Sequence, residues 1–390
     1  MAKQINVNIP RTVIGLGAIN TAGDIVRTFS ASKILILTDP GIVKAGVIEL
    51  VNAPLTRAGI NFEVFDGCKE EPPLPLLEEV SKKVKEGKYD LLIGVGGGSV
   101  MDTTKVASVL ALTGMSMSNY IKSRAHDRIE GKIIPKILVP TTSGTGAEWS
   151  INVAIYDHEG DKTYIVRAWE HAAERIIIDP ELTSRMPQGV TAATGFDALS
   201  HAIEGYTSAN ANVLSDMMAA TAIKMVSENI RQAYAKGQQN MEARYNMSIA
   251  AALAMNAMVT SGGGLSHFTS EFIGPKAHTS HGTTLATTLP AVIEFNMIAN
   301  PAKFARLAEL LGENINGLPV IEAAAKAAEA VRKLRKDLNL PQSLTEIGIK
   351  EADIPELARK IYAVTVNAIA ASNPRDATEK DIVKILKASL

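Results

Sequence analysis

The sequence predicts an α/β domain with a parallel sheet over residues 1–187, followed by an all-helical domain over residues 188–390. Three observations support this prediction. Short apolar runs alternate with helical patterns in the first half, as in a parallel sheet covered by helices on both faces. A segment with two prolines and two glycines, DPELTSRMPQGVTAATG, separates the halves. After this segment, long periodic stretches rich in Ala, Met and Leu run to the C-terminus.

The elements of the first half follow from these apolar runs. The predicted strands are KILILTD (33–39), FEVFDG (62–67), DLLIGVGGG (90–98), KILVPTT (136–142) and RIIIDP (175–180). The predicted helices between them are LPLLEEVSKKVKEG and MDTTKVASVLAL (101–112). Parallel sheets bind ligands at the carboxyl ends of their strands. We therefore expect the active site in a cleft between the two domains.

Composition excludes several classes of partner. The 390 residues carry a net charge of -1 and no run of Lys and Arg, so nucleic acid and anionic membranes are not expected partners. The only cysteine, Cys68, excludes internal disulfides and a thiolate metal site, so a metal would need oxygen and nitrogen ligands. The start MAKQINVNIP lacks an apolar targeting segment, and the longest apolar run, IAAALAMNAMV, predicts a buried helix rather than a membrane span. We expect a cytoplasmic protein with a small-molecule ligand.

A glycine-rich turn, VGGGSVMDTTK, joins a predicted strand to a predicted helix. Gly96, Gly97 and Gly98 let a ligand approach the backbone, while free N–H groups and the positive end of the helix would face that ligand. Ser99 is predicted to cap the helix. A pyrophosphate is the most natural ligand, and a tight turn without a ligand is the alternative.

A second turn, PTTSGTGAE (140–148), follows the next strand and adds side-chain hydroxyls. Two such turns on successive strands favour a nucleotide site over two empty turns. Asp39, at the end of ILILTD, could accept hydrogen bonds from both hydroxyls of an adenosine ribose, which would favour NAD over NADP. It could equally well start the turn Asp39-Pro40-Gly41. IGLGAIN (14–20) only begins like a dinucleotide fingerprint, because Asn20 replaces the third glycine, and it predicts a structural turn.

The segment GFDALSHAIE places Asp197 and His201 one helical turn apart on one face, as an ion pair or as half of a metal site. His267 and His281 could supply the other half. One carboxylate and three imidazoles suit Fe²⁺ or Zn²⁺ with positions open for a substrate oxygen. The spacing permits this site without proving it. Three other histidines lie in polar, turn-like sequence and are predicted to be solvated: His126, His158 and His171.

Five segments make the whole chain resemble the iron-containing (group III) alcohol dehydrogenases: GGGSVMDTTK, PTTSGTGAE, DPELTSRMP, TGFDALSHAIEGYTS, and the stretch from His267 to His281 with HGTTLATTLP. The resemblance implies a Rossmann-like NAD-binding domain, a helical domain, a divalent metal (Fe²⁺, or alternatively Zn²⁺) and a homodimer or larger homo-oligomer. It implies that the metal ligands are Asp197, His201, His267 and His281. We assign the cofactor contacts to Asp39, Gly96, Gly97, Gly98, Ser99, Asp102, Thr141, Thr142, Thr145, Asn152 and Lys162.

The resemblance also implies a reaction, which is reversible hydride transfer between a small primary alcohol and NAD, with the metal as a Lewis acid. The family usually has a second histidine four residues after the third ligand, but this chain has Glu271 there. Glu271 could accept the alcohol proton, bind the metal or be a bystander, and His278 is the other candidate catalytic residue. The alternatives are a lyase of the dehydroquinate synthase type, a catalytically silent nucleotide-binding protein, and a dehydrogenase acting on a polyol, a hydroxy acid, or a phosphonate or sulfonate aldehyde.

Overall fold

The computed structural model describes residues 5–122, 129–157 and 162–390. The chain divides into two compact units, residues 8–186 and residues 187–390, and residues 5–7 group with the second unit. The strands are β1 (Thr12–Ile14), β2 (Ile34–Leu37), β3 (Phe62–Phe65), β4 (Leu91–Gly96), β5 (Lys136–Pro140), β6 (Asn152–Asp157), β7 (Lys162–Arg167) and β8 (Arg175–Ile178).

The helices of the first unit are α1 (Ala22–Arg27), α2 (Pro40–Lys44), α3 (Ile48–Arg57), α4 (Leu74–Gly87), α5 (Gly98–Thr113), α6 (Met117–Lys122) and α7 (Pro180–Thr183). Those of the second unit are α8 (Gln188–Thr207), α9 (Val213–Lys236), α10 (Met241–Ser261), α11 (Leu265–Ala277), α12 (His281–Asn296), α13 (Pro301–Leu310), α14 (Val320–Asp337), α15 (Ile354–Ser372) and α16 (Glu379–Ala388). Residues 187–390, which are described throughout, contain no strand.

The first unit is built on one parallel sheet of six strands in the order β1-β8-β5-β4-β2-β3. The predicted fold class, a parallel α/β domain followed by an all-helical region, is therefore confirmed. All five predicted strands are present. The sequence pattern did not predict β1, which has three residues, or the separate antiparallel hairpin of β6 and β7.

Helices cover both faces of this sheet, which explains why its central strands are apolar without alternation. Ile34 and Ile36 of β2 pack in one buried cluster with residues of α1 and α3. Leu35 and Leu37 of the same strand point to the opposite face and pack with residues of α4 and α5. All strands of a parallel sheet have their carboxyl ends on the same side, so the turns after β2, β4 and β5 lie next to one another at that end of the sheet.

The second unit packs alanine-rich helices around α8, which is buried over most of its length. Small residues allow close approach: a Cβ at Gly205 of α8 would lie 2.9 Å from the backbone nitrogen of Met258 in α10. The predicted buried helix IAAALAMNAMV lies inside α10. Within the described residues, no single helix is long and apolar enough to cross a membrane. Helices α10 and α11 together have the length and apolar composition of a membrane span, but the pair is bent by 109° between them.

Candidate metal centre and cofactor-binding turns

Helix α8 presents three ionisable side chains on one buried face. Asp197, His201 and Glu204 follow one another at helical spacing, and they are 4%, 4% and 5% exposed. Buried charged groups require partners. The partners come from α11 and α12, which supply His267 and His281.

Three histidine nitrogens surround one carboxylate oxygen. The Nε2 atoms of His201, His267 and His281 lie 3.5, 3.7 and 3.9 Å from Asp197 Oδ1. These separations are too long for hydrogen bonds, but they match ligand atoms that each sit about 2.1 Å from one shared ion. Asp197 Oδ1 and His267 Nε2 are buried and have no hydrogen-bond partner within the described residues. The donor set therefore fits a divalent metal, and Asp197, His267 and His281 lie close enough together to hold one.

Glu204 holds His267 in the orientation that this cluster needs. Its carboxylate accepts hydrogen bonds from His267 Nδ1 at 2.5 Å and from the backbone N–H groups of Gly264 at 3.0 Å and Ser266 at 2.6 Å. The bond to Nδ1 leaves Nε2 of His267 facing Asp197. A carboxylate bonded to the far nitrogen of a metal-binding histidine is a common second layer of a metal site.

His281 is the first residue of α12 and is held from both neighbouring helices. Ser270 Oγ lies 3.2 Å from His281 Nδ1 and donates to the carbonyl of His267 at 2.9 Å. Next to His281, a Cβ at Gly282 would lie 2.0 Å from the carbonyl oxygen of Ala193, so the backbones of α12 and α8 are in direct contact. The His281 side chain is 43% exposed, whereas that of Asp197 is 5% exposed. The cluster is therefore open on the side of His281.

The pKa values of the cluster differ for physical reasons. Burial opposes ionisation of Asp197, but the neighbouring histidines hold its pKa well below the usual range. Burial lowers the pKa of His201 to about 4 and also lowers the pKa of His281. Burial would likewise lower the pKa of His267, yet the charge of Glu204 and hydrogen bonding raise it to about 10. At neutral pH two histidines thus offer a lone pair, while His267 carries a proton that a metal would replace.

The two proposed catalytic residues lie at different positions along α11, Glu271 in its middle and His278 at its C-cap. Glu271 is one turn beyond His267 and makes no hydrogen bond or ion pair with any described residue. Burial raises the pKa of Glu271 to about 7, while the charge of His267 lowers it and the charge of Glu204 raises it. His278 is exposed and ends α11 in the left-handed conformation, with φ of 49°. Glu271 is thus beside the metal cluster, and His278 is at the surface.

The two glycine-rich turns pack against each other. A Cβ at Gly98 would lie 2.9 Å from Thr145 Cγ2, and one at Gly97 would lie 3.3 Å from Thr142 Cγ2. The prediction that Ser99 caps α5 is wrong, because the N-cap is Gly97, and Ser99 lies inside the first helical turn. No side chain caps α5, so its first N–H groups stay free to bind an anion.

The buried side chain of Lys105 holds the backbone at the end of the second glycine-rich turn. Lys105 Nζ donates to the carbonyls of Ala147 at 2.8 Å and Asn152 at 3.0 Å, and it lies 3.5 Å from Asp102 Oδ1. The other oxygen of Asp102 accepts from the N–H of Ala154 at 2.9 Å. Both oxygens of the Asp102 carboxylate therefore interact with residues of the first unit.

The remaining predicted cofactor residues lie along the second turn and β6. Thr141 Oγ1 and Asn152 Oδ1 are buried and have no hydrogen-bond partner among the described residues. Thr142 and Thr145 are partly exposed, and Thr145 Oγ1 accepts from the N–H of Ala147 at 3.3 Å. Unsatisfied buried acceptors and donors at these positions fit a polar ligand. Lys162 begins β7, and its side chain lies outside the described part of the chain.

Asp39 adopts the turn geometry that was one of its two interpretations. It is the N-cap of α2, and its Oδ1 accepts from the N–H groups of Gly41 at 2.8 Å and Ile42 at 3.0 Å. The turn in IGLGAIN is structural, since the N–H of Ile19 donates to Asp179 Oδ2 at 3.0 Å.

The prediction that His171 is solvated is wrong. His171 is 0% exposed, with Nε2 2.8 Å from the hydroxyl of Tyr120 and Nδ1 2.9 Å from the carbonyl of Ile151. Burial lowers its pKa to about 3. His126 and His158 lie outside the described residues.

Sequence reasoning did not assign Glu204, Ser270 or Lys105. The spacing of seven residues from Asp197 to Glu204, which keeps both on one helical face, could have indicated Glu204. Nothing in the sequence pattern distinguishes Ser270 or Lys105 from ordinary helix residues.

Two family models match the chain: one described as iron-containing alcohol dehydrogenase matches residues 10–180, and one described as Fe-containing alcohol dehydrogenase family, C-terminal, matches residues 191–390. The choline dehydrogenase of Bacillus subtilis is 37% identical over 97% of this chain and 94% of its own length. The NAD-dependent methanol dehydrogenase of Bacillus methanolicus is 34% identical over 98% of both chains. A crystal structure of 1,3-propanediol oxidoreductase superposes with a TM-score of 0.93 at 33% identity and covers 100% of both chains. The chain therefore belongs to the iron-containing alcohol dehydrogenase family and is an oxidoreductase.

Proposed function

We propose that this chain is an NAD-dependent and divalent-metal-dependent alcohol dehydrogenase that interconverts a small primary alcohol and its aldehyde. The observation that carries the proposal is the convergence of three histidine Nε2 atoms on Asp197 Oδ1. The family description supports Fe²⁺ as the metal, and Zn²⁺ is the alternative because the ligands are nitrogen and oxygen. Similarity to an enzyme named as an NAD-dependent methanol dehydrogenase supports NAD.

The helical domain, residues 188–390, would hold the metal through Asp197, His201, His267 and His281. A divalent metal at this position supplies Lewis-acid polarisation of the alcohol or aldehyde oxygen. Glu204 keeps the tautomer of His267 fixed, and Ser270 keeps Nδ1 of His281 occupied, so that Nε2 of each ring stays available. The open side at His281 admits the substrate.

The α/β domain, residues 1–187, would bind NAD, which accepts the hydride in one direction and returns it in the other. The free N–H groups at the start of α5, from Gly97 to Ser99, would hold the pyrophosphate. Around them, the proposed further contacts are Thr141, Thr142, Thr145, Asn152 and Lys162. Asp39 would bind the adenosine ribose through Oδ2, since Oδ1 is used by α2. We propose that Asp102 acts by anchoring β6 at Ala154.

The alcohol proton needs an acceptor, and Glu271 and His278 are the proposed residues. A carboxyl whose pKa is about 7 is suited to general acid–base work at neutral pH. His278 is exposed and can exchange a proton with water. We further propose a cytoplasmic homodimer or larger homo-oligomer.

The test is to purify the protein without added metal, measure its metal content, and follow NADH formation with a panel of primary alcohols. We expect bound iron or zinc, accumulation of NADH, loss of activity on chelation, and recovery on adding the metal back. Unchanged activity after complete metal removal would refute the metal role. A lyase of the dehydroquinate synthase type recycles its NAD, so turnover without net NADH would favour that alternative.

A further inference from the structure

Glu271 is an acidic side chain near the candidate metal site that feels the charge of His267 but forms no salt bridge with it. It lies on α11 one helical turn after His267, and residues at this spacing share one face of a helix. Its carboxylate makes no ion pair with any Lys, Arg or His of the described residues. Burial makes the charged form of this carboxylate costly, so a cation bound beside Glu271 would stabilise that form.

The other two acids of the site already have partners. Asp197 faces three histidines and would bind the metal. Glu204 accepts a hydrogen bond from His267 and two more from backbone N–H groups. The site thus contains three carboxylates, whereas one divalent ion supplies only two positive charges. When Glu271 is ionised, the site carries a net negative charge, and Glu271 is the carboxylate that has neither a hydrogen bond nor a salt bridge to a described residue.

The neighbourhood of Glu271 on α11 includes apolar and aromatic groups. Phe268 precedes it by three residues and packs in the core of the second unit. Near the start of α11, a Cβ at Gly263 would lie 3.6 Å from Met258 Sδ and 3.9 Å from Phe268 Cε1. Apolar surroundings weaken screening by water, so the charge of Glu271 acts over a longer distance.

We propose that Glu271 makes this enzyme select alcohols that carry a positive charge two or three carbons from the hydroxyl oxygen, such as amino alcohols. This inference rests on the proposed function. Side chains four residues apart on a helix are separated by about 5–6 Å, which matches a hydroxyl near His267 and an ammonium near Glu271 joined by such a spacer. The same charge disfavours hydroxy acids and phosphonate or sulfonate aldehydes.

Two unit charges about 6 Å apart at an effective dielectric constant of ~20 support discrimination of one to two powers of ten. Because Glu271 is only partly buried, we expect about tenfold, the lower end of that range. The matched substrates are 3-aminopropan-1-ol and butan-1-ol, in which an ammonium replaces a methyl group of the same size. The anionic comparison is 3-hydroxypropanoate.

The experiment measures kcat/KM with NAD for the three alcohols on the metal-loaded enzyme. It also measures the dissociation constants of 3-aminopropan-1-ol and butan-1-ol by calorimetry without NAD. The variant is Glu271→Gln, and Glu294→Gln is the matched control, because Glu294 is exposed and pairs with Arg332 on the outer surface. Glu294 lies 13 residues beyond His281 in α12, which is about 20 Å along the helix.

We expect wild type and Glu294→Gln to prefer the ammonium substrate over butan-1-ol about tenfold in both readouts, and to use 3-hydroxypropanoate least. Glu271→Gln should bring the ratio close to one. The inference is wrong, and the proposed function stands, if wild type oxidises butan-1-ol but shows no preference for the cationic alcohol. The same holds if Glu271→Gln lowers kcat/KM for both alcohols by the same factor. If no alcohol of the wider panel yields NADH, the proposed function itself fails.

Discussion

Replacing Gly282 with alanine tests whether the contact between α12 and α8 sets the position of His281. The added Cβ would lie 2.0 Å from the carbonyl oxygen of Ala193 and 2.6 Å from its carbonyl carbon. An ordinary contact needs 3.4 Å, so the start of α12 must move away from α8 by about 1.4 Å. Metal–ligand distances vary by only about 0.2 Å, and a shift of this size removes His281 from the ligand set.

We therefore expect Gly282→Ala to weaken binding of Zn²⁺ or Fe²⁺ at least tenfold and to reduce the free energy of unfolding by about 1–3 kcal/mol. Metal affinity is measured by competition with a chromophoric chelator, and stability by urea unfolding of the metal-free protein. Gly189→Ala in α8 is the matched control, because no atom lies within 4 Å of its added Cβ. This control should bind metal normally and be as stable as wild type or more so. Metal affinity of Gly282→Ala within twofold of wild type would refute the reasoning.

Three further predictions follow from single side chains. Glu204→Gln should weaken metal binding about 10–100-fold and lower the pKa of His267, which NMR titration of the metal-free protein would detect; an unchanged pKa would contradict the assigned pairing. Lys105→Met should raise KM for NAD more than it lowers kcat, because the turn at Ala147 loses its anchor; equal effects on both would argue against a role in cofactor binding. His171 has a folded pKa of about 3, below its unfolded value of 6.5, so stability should fall by about 1 kcal/mol between pH 6.5 and 5.5, as the unfolded state binds a proton that the folded state excludes. His171→Asn should lose that slope in urea unfolding at pH 6.5 and 5.5, and an unchanged slope would assign it to other groups.

The strongly patterned elements could be predicted from the sequence because their signals are local. β2, β4 and β5 are continuous apolar runs ended by turn residues, and α14 and α16 of the second unit repeat their apolar positions over several turns. β1 could not be predicted in this way, because its three residues become a strand by pairing with β8, more than 160 residues away.

The environments of individual site residues depend on distant contacts that the sequence does not encode locally. His171 lies in polar sequence, yet Tyr120 and Ile151 bury it through long-range packing. Asp39 is the opposite case, because the local sequence Asp39-Pro40-Gly41 predicts a turn and Asp39 caps α2 in the structure. The spacing of Asp197 and His201 indicated half of a cluster, while the arrangement of the other half follows from how Gly282 allows α12 to approach α8.

The candidate metal ligands come from three separate helices of one unit, α8, α11 and α12. An ion bound there would join these helices as a cross-link and would stabilise the folded unit by about 2.7 kcal/mol at a free metal concentration 100 times the dissociation constant. Copies that have lost the ion would then open more often and be cleaved first by proteases. Cellular degradation would in this way remove the inactive enzyme selectively, and the supply of the metal would set the lifetime of the chain as well as its activity.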